Sequence, residues 1–419
     1  MEYMHIISLV VLVGAIVAAF LLKINTGVVA IAAALVLGLC AGWTDKQIMA
    51  TFGSKLFLTL LGVMFLFGIA QENKTLDLVA KKSLALCRGR VNLFPLLLFV
   101  VSAVLSAIGP GLISVTALMS ALTVSLARQT KTEPIRLIPF GVLGSFAGGL
   151  SPITPSGIVA IGTAEKVSIF GLEWPLMWQM ALTNLLYAAI LYFFVFKWHK
   201  HKHNPLETGE AQARSEKFSL VQWLTLGGIL LVAVLVLVTG VDVGMLSFAV
   251  GVLLLIFKAA DDSVVIKKLP WGTLVMITGV GILISVVTDL GGIDLLSNGL
   301  KMLMNTHTAS MIMTAISGVM SWVSSASGVV MPTLIPTVPE MVQSIQGTES
   351  LELVISICIG AHLAALSPLS SCGGLMLAAY SSSGEVTAKE RNRVFVQLFV
   401  ISACGVAFGA VLALIGLYG

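Results

Sequence analysis

Leu150-Ser151-Pro152-Ile153-Thr154-Pro155-Ser156-Gly157 stands inside the apolar run 136–168, where a membrane-spanning helix should be continuous. It does not read as one. Two prolines three residues apart remove two backbone donors, and each biases the residue before it away from helix. The same device returns 216 residues later as Leu366-Ser367-Pro368-Leu369-Ser370-Ser371-Cys372-Gly373. A helix broken at matching places in two halves, with small hydroxyl residues at the break, points to the ligand site of a transporter.

Composition agrees. Apolar residues make up 57% of the 419-residue chain and charged residues 11%, against about 25% charged in a soluble domain. Mean hydropathy is +1.01. The chain reads as an all-α polytopic membrane protein embedded in a lipid bilayer. Nucleic acid is excluded as a partner, because no basic face with interleaved aromatics exists. Cys40, Cys358, Cys372 and Cys404 lie in apolar runs and Cys87 in a basic connector, so neither metal spacing nor a disulfide framework is implied. No organic cofactor is expected. The first residues lack a basic n-region and a cleavage site, so the first segment reads as a retained helix.

A spanning helix needs about 20 apolar residues. Such runs fall near 4–22, 25–43, 54–71, 136–168, 173–197, 219–239, 243–260, 271–289, 350–383 and 394–418. Residues 92–127, interrupted at Gly109-Pro110-Gly111, and 308–346, interrupted at Ser324-Ser325-Ala326-Ser327, are too long for one helix each. Both read as re-entrant hairpins with the interruption at the tip, tolerable only where protein or a wet cavity covers it. Segments 75–90 and 290–305 are short and amphipathic and read as interfacial arms.

With both termini outside, twenty of the 24 Lys and Arg fall on the cytoplasmic side, and only Lys46, Lys55, Lys166 and Lys301 fall outside. That satisfies the positive-inside rule and suits a bacterial-type inner membrane. Anchors repeat at nearly one offset. Leu76-Asp77-Leu78 answers Ile293-Asp294-Leu295, Ser102 and Ser106 answer Ser317 and Ser321, and Gly144 answers Gly360. The expected organisation is two inverted-topology repeats. Residues 1–198 hold scaffold helices 4–90, hairpin 92–127, broken helix 136–168 and helix 173–197. Residues 199–218 form a cytoplasmic linker. Residues 219–419 hold scaffold helices 219–305, hairpin 308–346, broken helix 350–383 and helix 394–418. In the linker, His199, His201 and His203 alternate with lysine and read as a positive anchor rather than a metal site.

A broken helix exposes unpaired N–H groups at one half and unpaired C=O groups at the other, which favour anions and cations respectively. Two tips and two breaks meeting in mid-membrane suit a small carboxylate flanked by alkali cations on hydroxyl and carbonyl oxygens. The broken-helix regions carry no Lys or Arg to meet a substrate anion, and no acid sits in mid-span. His362 is the one candidate for proton coupling; its plainer reading is a core histidine bonded to a neighbouring helix. The inventory leans toward Na+. A channel and a membrane-embedded enzyme are the rival classes, and no nucleophile–base pair supports the second.

Lys23-Ile-Asn-Thr-Gly-Val-Val-Ala30, Phe57 to Gln71, Arg88-Gly-Arg90, Ser106-Ala-Ile-Gly-Pro110 and Gly148-Gly-Leu-Ser-Pro-Ile153 resemble the divalent anion:sodium symporter family of the ion transporter superfamily, and within it the MatC-type dicarboxylate carriers. The resemblance implies an elevator transporter, a homodimer, in which both hairpins and both broken helices slide against a scaffold. It implies sodium between tip and break in each half, and a dicarboxylate such as malonate or succinate between the tips. Family tips carry Ser-Asn-Thr; here the Asn and Thr side chains are missing from both. The expected Na+ ligands are Ser106, Gly109, Ser151 and Thr154 in one half and Ser324, Ser325, Ser367 and Ser370 in the other. The expected substrate contacts are Gly109, Pro110, Gly111, Thr154, Pro155, Ser156, Ser325, Ser327, Ser370, Ser371 and Cys372. Other organic-anion carriers of the superfamily, monocarboxylate, proton-coupled or binding-protein-dependent, are the alternative.

Overall fold

The computed structural model describes residues 3–84, 93–129, 132–197, 216–381 and 386–419. Residues 199–215 of the expected linker, with its three histidines, lie outside the described residues, as do Arg88-Gly-Arg90, Cys87 and the end of the first amphipathic arm. The first part of the chain runs α1 (Met4–Leu22), α2 (Thr26–Cys40), α3 (Asp45–Ala50), α4 (Ser54–Glu72), α5 (Thr75–Leu84), α6 (Phe94–Ala107), α7 (Gly111–Gln129), α8 (Ile138–Gly148), α9 (Pro155–Lys166) and α10 (Glu173–Leu191). The second runs α11 (Leu220–Thr239), α12 (Val243–Ile256), α13 (Asp262–Lys268), α14 (Trp271–Asp289), α15 (Gly292–Lys301), α16 (Ala309–Trp322), α17 (Met331–Leu334), α18 (Val338–Ser344), α19 (Ser350–Ala364), α20 (Ser371–Ser381) and α21 (Ala388–Leu414). No strand occurs among the described residues.

Lengths recur with order. α4 and α14 each have 19 residues, α5 and α15 each 10, and α6 and α16 each 14. Among the described residues α1, α4, α10 with its π-helical extension to Phe194, α14 and α21 are long and apolar enough to cross a membrane. α16 with Ala326–Ser344 makes a sixth candidate, bent by 117° at its break. The chain is a multi-pass membrane protein. α2, with 15 residues, and α12, with 14, are shorter than the runs 25–43 and 243–260 suggested. Each gives way to a short helix with a side-chain cap: Thr44 accepts from the N–H of Gln47 before α3, and Asp261 from Ser263 and Val264 before α13.

Glycine lets two pairs of helices cross backbone to backbone. A Cβ on Gly27 of α2 would lie 2.1 Å from the Val275 carbonyl oxygen of α14, and one on Gly62 of α4 would lie 2.1 Å from that of Gly244 of α12. Each crossing is tied by the cap at its end. Asn25 caps α2 and donates to the Gly272 carbonyl at 2.7 Å. Asp242 caps α12 and accepts from the Thr59 hydroxyl at 2.6 Å. A charge-assisted cap of this kind satisfies donors that the first helical turn leaves over.

The first arms of the interrupted segments pack against the broken helices by the same means. Gly144 and Gly148 of α8 press on the Phe99 and Ala103 carbonyls of α6, and Gly360 of α19 presses on the Thr314 carbonyl of α16. α10 packs on α8 and α21 on α16 and α19, while α7 contacts α20 and α9 contacts the segment 326–337. The second arm of each interrupted segment therefore meets the broken helix of the other half.

Candidate functional site

Each break is a short loop closed on one hydroxyl. α8 ends at Gly148, and α9 begins at Pro155 with Thr154 as N-cap. The Thr154 hydroxyl lies 2.7 Å from both the Gly149 and Ser151 carbonyl oxygens and accepts from the Gly157 N–H at 3.2 Å. Ser370 repeats this, with the Ala365 and Ser367 carbonyls at 2.6 and 2.8 Å and the Gly373 N–H at 3.1 Å. The non-helical residues are 149–154 and 365–370, so the breaks lie earlier than the stretches Leu150 to Gly157 and Leu366 to Gly373 suggest. Pro155 starts a helix rather than ending one. At the first helical position its missing N–H costs nothing and its fixed φ suits the helix.

At the first tip, α6 stops at Ala107 and α7 starts at Gly111, with φ of +135° at Gly109 and +79° at Gly111. Glycine is required twice over, since a Cβ on Gly109 would lie 2.1 Å from Cε2 of Phe67 in α4 and one on Gly111 2.9 Å from Cδ of Pro155. Tip, break and α4 thus touch. At the second tip, Ser325 caps a π-helical turn, Ala326–Val330, by accepting from the Gly328 N–H. Ser324 donates back to the Met320 carbonyl at 2.6 Å.

A cavity of about 270 Å³ opens where these parts meet. The first turns of α7 (Gly111, Leu112, Ile113, Ser114), α9 (Pro155, Ser156) and α14 (Thr273, with Pro270 before it) all line it, and Ser327 reaches it from the second tip. Three helix N-termini, each from a helix of 12 or more residues, direct partial positive charge into one space. The C-terminal half of α4 also lines it, with Met64, Phe67, Gly68, Gln71 and Glu72. Of the expected substrate contacts, Pro110, Gly111, Pro155, Ser156 and Ser327 line this cavity; Gly109, Thr154, Ser325, Ser370, Ser371 and Cys372 do not. Gly109 lies beneath it on Phe67, and Thr154 and Ser370 are engaged inside their own breaks. Cys372 is buried, while Ser371 is exposed at the start of α20. The second break therefore stands apart from this cavity.

One expected cation ligand differs in availability from its counterpart at the repeat offset. The Ser106 hydroxyl is fully buried without a partner, whereas its counterpart Ser321 donates to the Ala361 carbonyl at 2.7 Å. Ser151 and Ser367 are buried, and the Ser367 hydroxyl accepts from the Leu369 N–H at 3.3 Å. His362 is buried, with Nδ1 2.7 Å from the Cys358 carbonyl of its own helix rather than a neighbour, and Nε2 without a partner. Trp322 packs on Phe399 and donates to the Ser402 hydroxyl at 2.9 Å, a packing role. A second cavity, of about 200 Å³, lies toward the other end of α14, between Ser285, Thr288 and Asp289 on one side and Thr163, Lys166, Pro332 and Pro336 on the other. Sequence reasoning missed Gln71, Glu72, Lys268 and Thr273 as lining residues. They lie at helix ends far along the chain, and the one signal was that Lys267-Lys268 directly precedes Pro270 and a long apolar run.

Residues 2–149 match the family model for the dicarboxylate carrier protein MatC N-terminus. No curated protein matches the chain. Among solved structures, the chain is similar to the Alcanivorax borkumensis YdaH transporter, described as having an unusual topology, at 14% identity and a TM-score of 0.59, over 88% of this chain and 87% of that one. At that identity the likeness is one of fold. The first third of this chain is therefore similar to the N-terminus of a dicarboxylate carrier, and the whole shares its fold with a solved transporter; neither relative is an enzyme.

Proposed function

We propose that this protein is a secondary active importer of a small dicarboxylate of the malonate or succinate type, coupled to Na+. The observation that carries the reading is the convergence of three helix N-termini and four hydroxyls, Ser114, Ser156, Thr273 and Ser327, on one cavity. Its volume of about 270 Å³ lies just below the roughly 300–1,000 Å³ range of small-molecule pockets, which suits a small ligand. The similarity of residues 2–149 to a dicarboxylate carrier supports the substrate class. Sodium is supported by the buried, unpartnered Ser106 hydroxyl beside the first tip. The remaining ligands in this reading are Gly109, Ser151 and Thr154, with a second ion at Ser324, Ser325, Ser367 and Ser370.

An elevator follows from the same reading. α1 to α5 and α11 to α15 form the scaffold; the two interrupted segments and the two broken helices move against it. The cavities at the two ends of α14 serve as the two access routes, and both reach Ile277. Two inverted repeats, a homodimer, an inner-membrane location and both termini outside complete the reading. A proton-coupled carrier is the second reading, favoured by the unpartnered Nε2 of buried His362.

The test is uptake of radiolabelled succinate and malonate into proteoliposomes under an inward sodium gradient, against a potassium control. Sodium-dependent, saturable accumulation with counterflow is the expected result. Uptake that follows a pH gradient alone replaces sodium with the proton. Non-saturable flux without counterflow makes the protein a channel and ends the reading.

A further inference from the structure

The moving parts of the proposed carrier bring no Lys or Arg to this cavity; Arg136 and Lys166 stand at the two outer ends of the first broken helix and do not line it. Residues 94–127, 137–165 and 309–381 contain neither Lys nor Arg. A dianion in the cavity would meet only dipoles and hydroxyls from that side. Among the described residues one cation lines the cavity, and it comes from the scaffold: Lys268, the last residue of α13. We infer that Lys268 is the substrate's counter-charge in this cavity, and that Glu72 is its resident counter-ion, displaced when a substrate carboxylate arrives. This inference rests on the function proposed above and names a specificity-determining residue within it.

Three features of the geometry carry it. Lys268 is ion-paired with Glu72, yet its side chain remains 67% exposed while Glu72 is 26% exposed. An exposed lysine–carboxylate pair is weak, so exchanging one carboxylate for another costs little. Glu72 also stands at the C-terminal end of α4, where the helix dipole already disfavours a negative charge. Lys268 offsets that repulsion; it stands two residues before Pro270, the N-cap residue of α14, and lines the same cavity as Ser156 and Ser327. Its backbone is fixed from both sides. Asp261 caps α13, and the Trp271 indole N–H at the start of α14 donates to the Ile266 carbonyl at 2.9 Å. The lysine is thus a flexible arm on an anchored base, able to turn from Glu72 to a ligand held by Ser156 and Ser327. A ligand so held bridges scaffold and moving body, and one carboxylate meets the hydroxyls while the other meets Lys268. A monoanion needs only the first contact.

The test compares wild type, Lys268→Gln, Lys268→Arg and Glu72→Gln, all full length. It measures uptake KM and kcat in proteoliposomes and thermal-shift titration in detergent, with succinate as the dianion and butyrate as a monoanion of equal length. Lys268→Gln should raise the succinate KM at least tenfold, with kcat within threefold and the butyrate titration unchanged. Lys268→Arg should restore KM to within threefold. Glu72→Gln removes the competing carboxylate and should lower KM two- to fivefold. The inference is overturned if wild type responds to succinate and Lys268→Gln leaves its KM unaltered. It is equally overturned if Lys268→Gln and Glu72→Gln raise KM and lower the melting temperature alike, the signature of a structural clamp. A wild type that answers to no carboxylate brings down the functional reading itself, and this inference with it.

Discussion

Gly157→Ala and Gly373→Ala put the same methyl group against the same kind of carbonyl in the two breaks. The added Cβ would lie 2.0 Å from the Ser151 oxygen in one and 1.9 Å from the Ser367 oxygen in the other. Ordinary contact begins near 3.4 Å, so each carbonyl must retreat by more than 1 Å. Those carbonyls also accept from Thr154 and Ser370, both side chain and N–H. Overpacking costs about 1–3 kcal/mol, and disturbing the two hydrogen bonds adds about 1 kcal/mol each. Alanine's helix preference returns at most about 1 kcal/mol, which leaves a net loss of roughly 2–4 kcal/mol. The controls sit on the same helices. A Cβ on Gly162 meets only Leu56 Cδ1 at 3.8 Å, and one on Gly374 meets nothing within 4 Å. Gly162→Ala and Gly374→Ala should therefore be neutral or stabilising. The assay is the melting temperature of each purified variant in one detergent, alongside initial uptake rate. If Gly157→Ala and Gly373→Ala melt with their controls, the closed-loop account of the breaks is refuted.

Thr154→Ala loses an N-cap and leaves the Gly157 N–H buried, at about 1–3 kcal/mol; Thr154→Ser keeps the hydroxyl and should recover most of it in the same melting assay. Gly109→Ala should abolish uptake while the protein still inserts, because a Cβ there meets Phe67 Cε2 at 2.1 Å and φ is +135°; pairing it with Phe67→Ala should recover part of the activity, and no recovery would locate the problem in the backbone alone. Trp322→Phe gives up the bond to Ser402, which still donates to the Ala364 carbonyl at 2.8 Å; about 1 kcal/mol of stability should go with uptake KM unchanged. Asp242→Ala removes the α12 cap and the partner of Thr59 together, and should cost about 2 kcal/mol, read as a lower melting temperature.

The all-helical architecture, the two breaks and the interruptions at Gly109 and Ser325 were legible in the residues because each rests on local chemistry. Proline removes a donor wherever it falls, and Gly109 and Gly111 mark a turn whatever surrounds them. Helix lengths that recur between the two parts follow from apolar runs that recur in the sequence. The limits of the breaks were less legible: Pro155 reads as a breaker in isolation and acts as a helix starter once Thr154 caps α9. Membership of the cavity was legible only in part: Pro110, Gly111, Pro155, Ser156 and Ser327 line it as expected, while its lining from α4, α13 and α14 was not foreseen. Sequence offsets treat the two breaks as equals, yet Ser156 lines the cavity while Ser371 and Cys372 do not. That choice is made by which helices pack together, since α20 lies on α7 and α9 on the second interrupted segment. Lys268 and Glu72 meet because α4 packs directly on α13, with Gly68 close against Val265. Charge in a sequence has a sign but no direction, and only packing decides what it faces.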